Sequence, residues 1–266
     1  VGTEALLDSR RRWNLANRKV EGVFKATAVA LPLPPSFNDG VRVARADRAV
    51  VVGLKRKEGL NGSRSYDFDF VEMAQRAEAA GACALAIWPE EEFFGGSYQD
   101  ILAVAQVTSL PILSRDPVLD PLQIVMARAH GAAAITIQVG FVGEEELRAL
   151  VRHAIELGLD VLMEGGTAAE LERIAKFKMG TSDSSGARLV AVGGPLNPPD
   201  GMRTYERLSP LIPEFAASLA TSGIEDPNAL GALETAGYEA FLVSDALLAA
   251  SDFEAAMADY AGLPFG

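Results

Sequence analysis

After residue 48, short apolar runs alternate with longer stretches whose apolar positions recur every three or four residues. The short runs lie at 50–54, 84–88, 111–113, 133–138, 160–163, 189–192, 216–220 and 240–243 and read as strands. The helical stretches between and after them are 70–80, 98–108, 121–129, 144–157, 168–177, 204–211, 228–236 and 252–260. Strict alternation implies a parallel sheet, because each strand must be returned to the same end by a crossover helix. Eight repeats imply that the sheet closes on itself, and 266 residues match the ~250 of one (β/α)8 barrel. The expected fold is therefore α/β: a single TIM barrel over residues 49–266, with residues 1–48 packed on it as a helical extension.

One unit shows the local logic. In 144–157, Leu147, Leu150, Val151 and Ile155 fall on one face, and Glu144, Glu145 and Glu146 occupy the first turn, where the helix dipole favours negative charge. Gly158 follows as a helix terminator, and Gly81, Gly131 and Gly237 punctuate other helices in the same way. No GxGxxG or GxxxxGK[ST] phosphate loop is present. In the extension, the pattern predicts a helix over about 6–23 and then a Pro-rich connection, LPLPPSFNDG. The polar stretch KMGTSDSSGAR at 178–188 falls between the fifth helix and the sixth strand, and reads as a solvated loop on the face away from the chemistry.

Composition adds limits. A 49% hydrophobic fraction is enough for a large core. The net charge of −12 is uneven: residues 1–57 hold 12 Lys/Arg against 5 Asp/Glu, a net of +7, and the rest hold 12 against 31, a net of −19. An acidic body argues against nucleic acid as a partner. The basic segment either grips an acidic partner, as in a protein complex, or supplies solvated helix faces and a few site lysines. The single cysteine, Cys83, lies in an apolar run and reads as core packing. With no second thiol to pair with, a reducing compartment is expected. No apolar run reaches the ~18 residues of a membrane span. The first residue is Val1, which fits either a trimmed sequence or a removed targeting peptide. The expected setting is a soluble protein of the cytoplasm or of an organelle matrix such as the plastid stroma.

In a barrel of this kind, catalytic groups stand at strand C-termini. Alternation puts Val51, Gly53 and Lys55 on one side of the first strand, so Lys55 can point inward. Arg115 follows the third strand and Glu164 ends the fifth. Ser222 and Gly223 follow the seventh, and Ser244 and Asp245 the eighth. Two cations beside a carboxylate suit an anionic ligand and proton transfer, and equally suit a structural ion-pair network. Trp88, Phe93 and Phe94 after the second strand roof an aromatic pocket or pack the core. His130, just before the fourth strand, and His153, mid-helix, read as structural or surface residues. Neither a metal-ligand cluster nor a Ser/His/Asp arrangement is recognisable.

These segments carry a likeness. VVVGLKRK resembles the first-strand motif of the indole-3-glycerol phosphate synthase family, EEEFFGGSYQDI its second loop, and LPILSRDPVLDPLQI its third strand. VLMEGG, ATSGI and AFLVSDALL are similar to the fifth, seventh and eighth strand ends, and ERLSPLIP to the sixth helix. The resemblance implies a carboxy-lyase of tryptophan biosynthesis. Such an enzyme closes an indole ring on a carboxyphenylamino-deoxyribulose phosphate, with loss of CO2 and water and no cofactor. On that likeness Lys55 matches the first-strand lysine and Glu164 the fifth-strand glutamate. Phe93 and Phe94 match the second loop, and Ser222 and Gly223, with Ser244 on the eighth strand, mark the phosphate site. The departures gather at the same place. Gly53 stands for a glutamate, Arg115 for a lysine, Gly193 for an asparagine, Thr221 for a glutamate, and Ser244-Asp245 for glycine-serine.

Three of these changes have physical consequences. An arginine stays charged, so Arg115 binds a carboxylate but is a poor proton donor. Gly53 is expected to leave a hole where a polar anchor stood. Asp245 is expected to cap the helix after the eighth strand, filling the anion site from within. The leading expectation is a divergent family member without the parent activity, serving as a binding or structural subunit. An active synthase and an enzyme acting on a different small anion are the alternatives, with Lys55, Arg115 and Glu164 as the catalytic candidates.

Overall fold

The computed structural model describes residues 2–44, 48–60, 63–177, 189–193, 201–214 and 216–262. The polar stretch 178–188 lies outside the described residues. Before the barrel come helices α1 (Thr3–Asn17), α2 (Glu21–Ala30) and α3 (Phe37–Val43). The repeat then runs β1 (Ala49–Leu54), α4 (Phe70–Ala79), β2 (Ala84–Ile87), α5 (Tyr98–Ala105), β3 (Ile112–Ser114), α6 (Pro121–Ala129), β4 (Ala134–Gln138), α7 (Glu144–Glu156) and β5 (Asp160–Gly165). It continues through α8 (Ala168–Lys176), β6 (Leu189–Val192), α9 (Met202–Leu208), β7 (Ala217–Ala220), α10 (Leu230–Thr235), β8 (Ala240–Val243), α11 (Asp245–Leu248) and α12 (Phe253–Ala261). All neighbouring strands are parallel, and β8 pairs with β1 to close the barrel. The expected (β/α)8 architecture is present, with each strand within two residues of its expected limits.

Helix starts follow their sequence signals. The Asp69 carboxylate accepts from the Val71 and Glu72 N–H groups. Asp120 caps α6 ahead of Pro121, and Ser97 and Asp100 form a reciprocal box at α5. Gly81, Gly131, Gly158 and Gly237 all have positive φ, as their positions after helices require. At Gly131 (φ 97°) a Cβ would also lie 2.7 Å from that of Ala105.

Alternation sorts the strand side chains into two cores. Val50, Val52, Leu85, Ile87, Ile135 and Ile137 face the helix ring, whereas Val51, Ala84, Ala86, Leu113, Leu162 and Leu219 fill the barrel. Cys83 sits at the edge of the inner core, and burial pushes its thiol up to about 12. Among the described residues, no helix is long and apolar enough to cross a membrane.

The extension departs from the single helix expected over 6–23. A 3-10 turn at Arg18–Val20 separates α1 from α2. Beyond it the two helices have different partners: Leu6 of α1 lies over the strand C-terminal end, while α2 packs against α6. The third helix, α3, emerges from the stretch read as a Pro-rich connection, capped by Ser36, whose hydroxyl oxygen accepts from Asp39 N–H. Ser36 and Asn38 donate to the Asp160 carboxylate at the start of β5, so α3 covers the opposite end. Buried Arg128 of α6 donates to the Leu31 and Pro32 carbonyls and fixes the connection.

Charge holds this strap in place. Arg10 pairs with Asp116 at 2.6 Å, both buried, and Tyr98 OH and Gln123 Nε2 also donate to that carboxylate. Burial holds the Asp116 carboxyl above its ordinary pKa despite Arg10. Arg12, Arg18, Arg48, Lys55 and Arg56 also reach barrel carboxylates, so the basic segment finds acidic counterparts within its own chain. Arg10→Ala leaves Asp116 without its cation in a dry site, and is expected to cost about 3–5 kcal/mol of folding stability. Urea unfolding measures this; a loss below about 1 kcal/mol would contradict the pairing's role.

Candidate active site

The inward register brings Lys55, Arg115, Gln138, Thr221 and Ser244 around one cavity of about 80 Å³ at the strand C-terminal end. Trp88, Phe94, Pro117, Ile224 and Leu242 supply apolar wall, and Leu6 of α1 closes it from above. Ser222, Gly223, Glu58, Glu225 and Asp245 complete the lining.

Glu164 is not itself among the lining residues but holds three of them, Arg115, Gln138 and Thr221. It pairs with Gln138 on β4 and Ala191 on β6 in the ladder, and is 1% exposed. Its Oε1 accepts from Arg115 Nη2 at 3.0 Å and Thr221 Oγ1 at 2.6 Å, and its Oε2 accepts from Gln138 Nε2 at 3.1 Å. The carboxylate is thus held from three strands. Arg115 spends one nitrogen on Glu164, while its Nε and Nη1 have no hydrogen-bond partner among the described residues. Its guanidinium carbon lies 5.3 Å from the Trp88 ring centre, a cation–π distance.

Lys55 forms the second cluster. Its Nζ donates to Asp245 Oδ2 at 2.7 Å and to the Glu58 carbonyl at 3.2 Å, and lies 5.5 Å from the Trp88 ring centre. Tyr66 OH donates to Asp245 Oδ1 at 2.8 Å. Burial and this bond to a carboxylate push the Tyr66 hydroxyl well above its ordinary pKa.

The structure thus brings Lys55, Arg115 and Glu164 to one end, in two separate cation–carboxylate pairs. Phe94 lines the cavity, its ring 5.9 Å from Trp88, whereas Phe93 is turned aside into partial burial. Ser222 and Gly223 border the cavity, but the Ser222 N–H donates to Tyr205 OH at 3.0 Å. Ser244 uses its hydroxyl on the Gly53 carbonyl at 2.9 Å. His130 is buried, its Nδ1 2.7 Å from the Met126 carbonyl, and burial lowers its pKa; it is structural. His153 sits in the last turn of α7, 3.8 Å from Glu156.

Two expectations need correction. Asp245 does not cap α11: the helix has no side-chain cap, and both Asp245 oxygens are taken by Lys55 and Tyr66. As the first residue of the helix, its carboxylate has a full counter-charge within 2.7 Å, a stronger partner than an N–H dipole. Gly53 leaves no hole either. A Cβ there would lie 2.8 Å from Ser244 Cβ, 3.0 Å from Trp88 and 3.1 Å from Leu242. The neighbouring side chains occupy the space. Gly193 is similar: with φ 154°, a Cβ would meet Thr221 Oγ1 at 2.2 Å.

Gln138, Tyr66 and Glu225 are polar site residues that sequence reasoning passed over. Gln138 was legible, since Ala134, Thr136 and Gln138 share the inward register of β4. Tyr66 carried no such signal, because it arrives on a loop that folds back through the Lys57–Ser65 bridge.

Comparisons with known proteins agree with the fold and place the chain. The family model described as "Indole-3-glycerol phosphate synthase" matches residues 4–182. A protein of that name from Parafrankia sp. (strain EAN1pec) is 32% identical over 264 residues, covering 96% of this chain and 93% of its own length. One from Koribacter versatilis (strain Ellin345) is 32% identical over 269 residues, covering 97% and 98%. A tryptophan synthase alpha-subunit from Pyrococcus furiosus superposes with a TM-score of 0.59 at 13% identity, covering 82% of this chain and 99% of that one. At that identity the likeness concerns the fold alone.

Crowding at Gly53 gives a prediction of unusual sign. Gly→Ala in a strand ordinarily stabilises by roughly 0.5–1 kcal/mol. Gly53→Ala is expected instead to destabilise by about 1–3 kcal/mol, as overpacked cores do. Thermal unfolding decides it; a stabilised variant would show that the space is free.

Proposed function

The chain belongs to the indole-3-glycerol phosphate synthase family, and on that premise we propose that its barrel is a ligand-binding member that has lost the parent ring closure. The observation that carries the proposal is the double pairing of Lys55 with Asp245 and Arg115 with Glu164. Each cation that could act on a substrate is held by a carboxylate of the protein. A proton donor at the third-strand position must give up its proton near neutral pH, and a guanidinium does not. Glu164, with three donors on its two oxygens, is fixed as an ion-pair partner more than it is poised as a base.

A second reading is that the parent reaction persists. The name shared by the relatives favours it, and so does the resemblance that matches Lys55, Glu164 and Phe94 to the family's motifs. In that case Lys55 must leave Asp245 when substrate enters, and Arg115 takes the substrate carboxylate through its unpartnered Nε and Nη1.

The assay separating the two is ring closure of carboxyphenylamino-deoxyribulose phosphate by the purified protein. Loss of a general acid costs ~10²–10⁴-fold, so turnover is expected far below the ordinary range. A rate of roughly 1–10³ per second would establish the second reading instead.

A further inference from the structure

We propose that Glu90 is a positioning residue that locks the α1 strap to the second loop, so that the roof and one wall of the cavity hold their places as a unit. The inference rests on the reading of the cavity as the ligand site, but its test needs no ligand.

Glu90 follows Trp88 by two residues and is 1% exposed. A buried carboxylate is costly unless donors meet it. Here the two oxygens are met from two different segments. Oε1 accepts from the Ser9 hydroxyl of α1 at 2.6 Å, across 81 residues of sequence. Oε2 accepts from the Phe93 N–H at 2.7 Å, and the Glu90 carbonyl accepts from the Gly96 N–H at 3.2 Å.

Each arm leads to a cavity residue. Leu6, Ser9 and Arg10 share one face of α1 at spacings of three and four, so the bond at Ser9 lies one turn from the Leu6 roof. In the loop, the Phe93 N–H held by Glu90 directly precedes Phe94, whose ring lies 5.9 Å from Trp88. The Phe94 carbonyl accepts from the Arg56 and Lys57 N–H groups, which fixes the far side of the same turn. A Cβ on Gly96 would collide with the Trp88 carbonyl oxygen, so the loop closes directly on the end of β2. Charge reinforces the link: Glu90 is near enough to favour the Arg10 cation and to help hold the Asp116 carboxyl up. Arg10 and Asp116 tie α1 to the segment after β3, and Ser9 and Glu90 tie it to the segment after β2.

Hydrogen exchange and Trp88 fluorescence test this. Ser9→Ala removes only the α1 arm. It is expected to speed exchange of the Phe93 and Gly96 amides at least about threefold, although Ser9 bonds to neither, while α7 amides keep their rates. Glu90→Gln is expected to speed exchange in both α1 and the loop at least about tenfold. Adding Ser9→Ala to Glu90→Gln is expected to add less than about twofold, because the same link is already broken. In a Trp13→Phe background Trp88 is the sole tryptophan, and Glu90→Gln is expected to raise its quenching by acrylamide at least about twofold. Should Glu90→Gln not fold, Glu90→Asp, one methylene too short to reach both donors, carries the same expectation. Loop amides unmoved by Ser9→Ala, equal acceleration in α7, additive effects in the double variant, or unchanged Trp88 quenching would each overturn the proposal. None of these measurements uses a ligand, so failure of the ring-closure expectation does not alter their outcome.

Discussion

A parallel strand in a closed barrel turns only every second side chain inward, and that constraint decides what the site contains. Lys55, Arg115, Gln138, Glu164, Thr221 and Ser244 meet because each holds the outermost inward position of its strand or the residue just beyond it. Those places lie too close together to vary independently. Gly53 accommodates Trp88, Leu242 and Ser244, and Ser244 returns a hydrogen bond to the Gly53 carbonyl. Gly193 makes room for Thr221, and Thr221 donates to Glu164. Gly53 and Gly193 therefore each permit a larger or polar neighbour in one packed arrangement.

The arrangement also balances charge. Burying an ion is expensive unless a partner and hydrogen bonds accompany it. Arg115 and Glu164, 4% and 1% exposed, meet that demand with Thr221 and Gln138. Lys55 meets it with Asp245, Tyr66 and the Glu58 carbonyl. Further out, Arg10 and Asp116 apply the same rule to seat α1 over the cavity, where Leu6 closes the top. The positive excess of the first 57 residues is spent largely on such contacts within the chain.

Much of this was legible in the sequence because it is periodic. Eight strands, their helices, the glycine stops and the inward direction of Lys55 follow from spacings of two, three or four residues, and Arg115 and Glu164 were placed at strand ends. What was not legible depends on contacts between distant positions. Asp245 reads locally as a helix cap, but its partner Lys55 lies 190 residues away. Gly53 reads as a missing side chain, but Trp88 and residues near position 244 fill its space. The break between α1 and α2 lies where α2 turns to pack against α6, a contact with a distant segment. The relatives' shared name shows the family.

Lys55 and Arg115, which line the cavity, are each paired with a carboxylate of the protein. A crystal structure determined from high phosphate tests it directly. Lys55 Nζ is expected still on Asp245, Arg115 still on Glu164, with no phosphate beside Ser222 and Gly223. A phosphate bound there, with Lys55 turned from Asp245 to hold it, would show that the pairs yield to an anionic ligand.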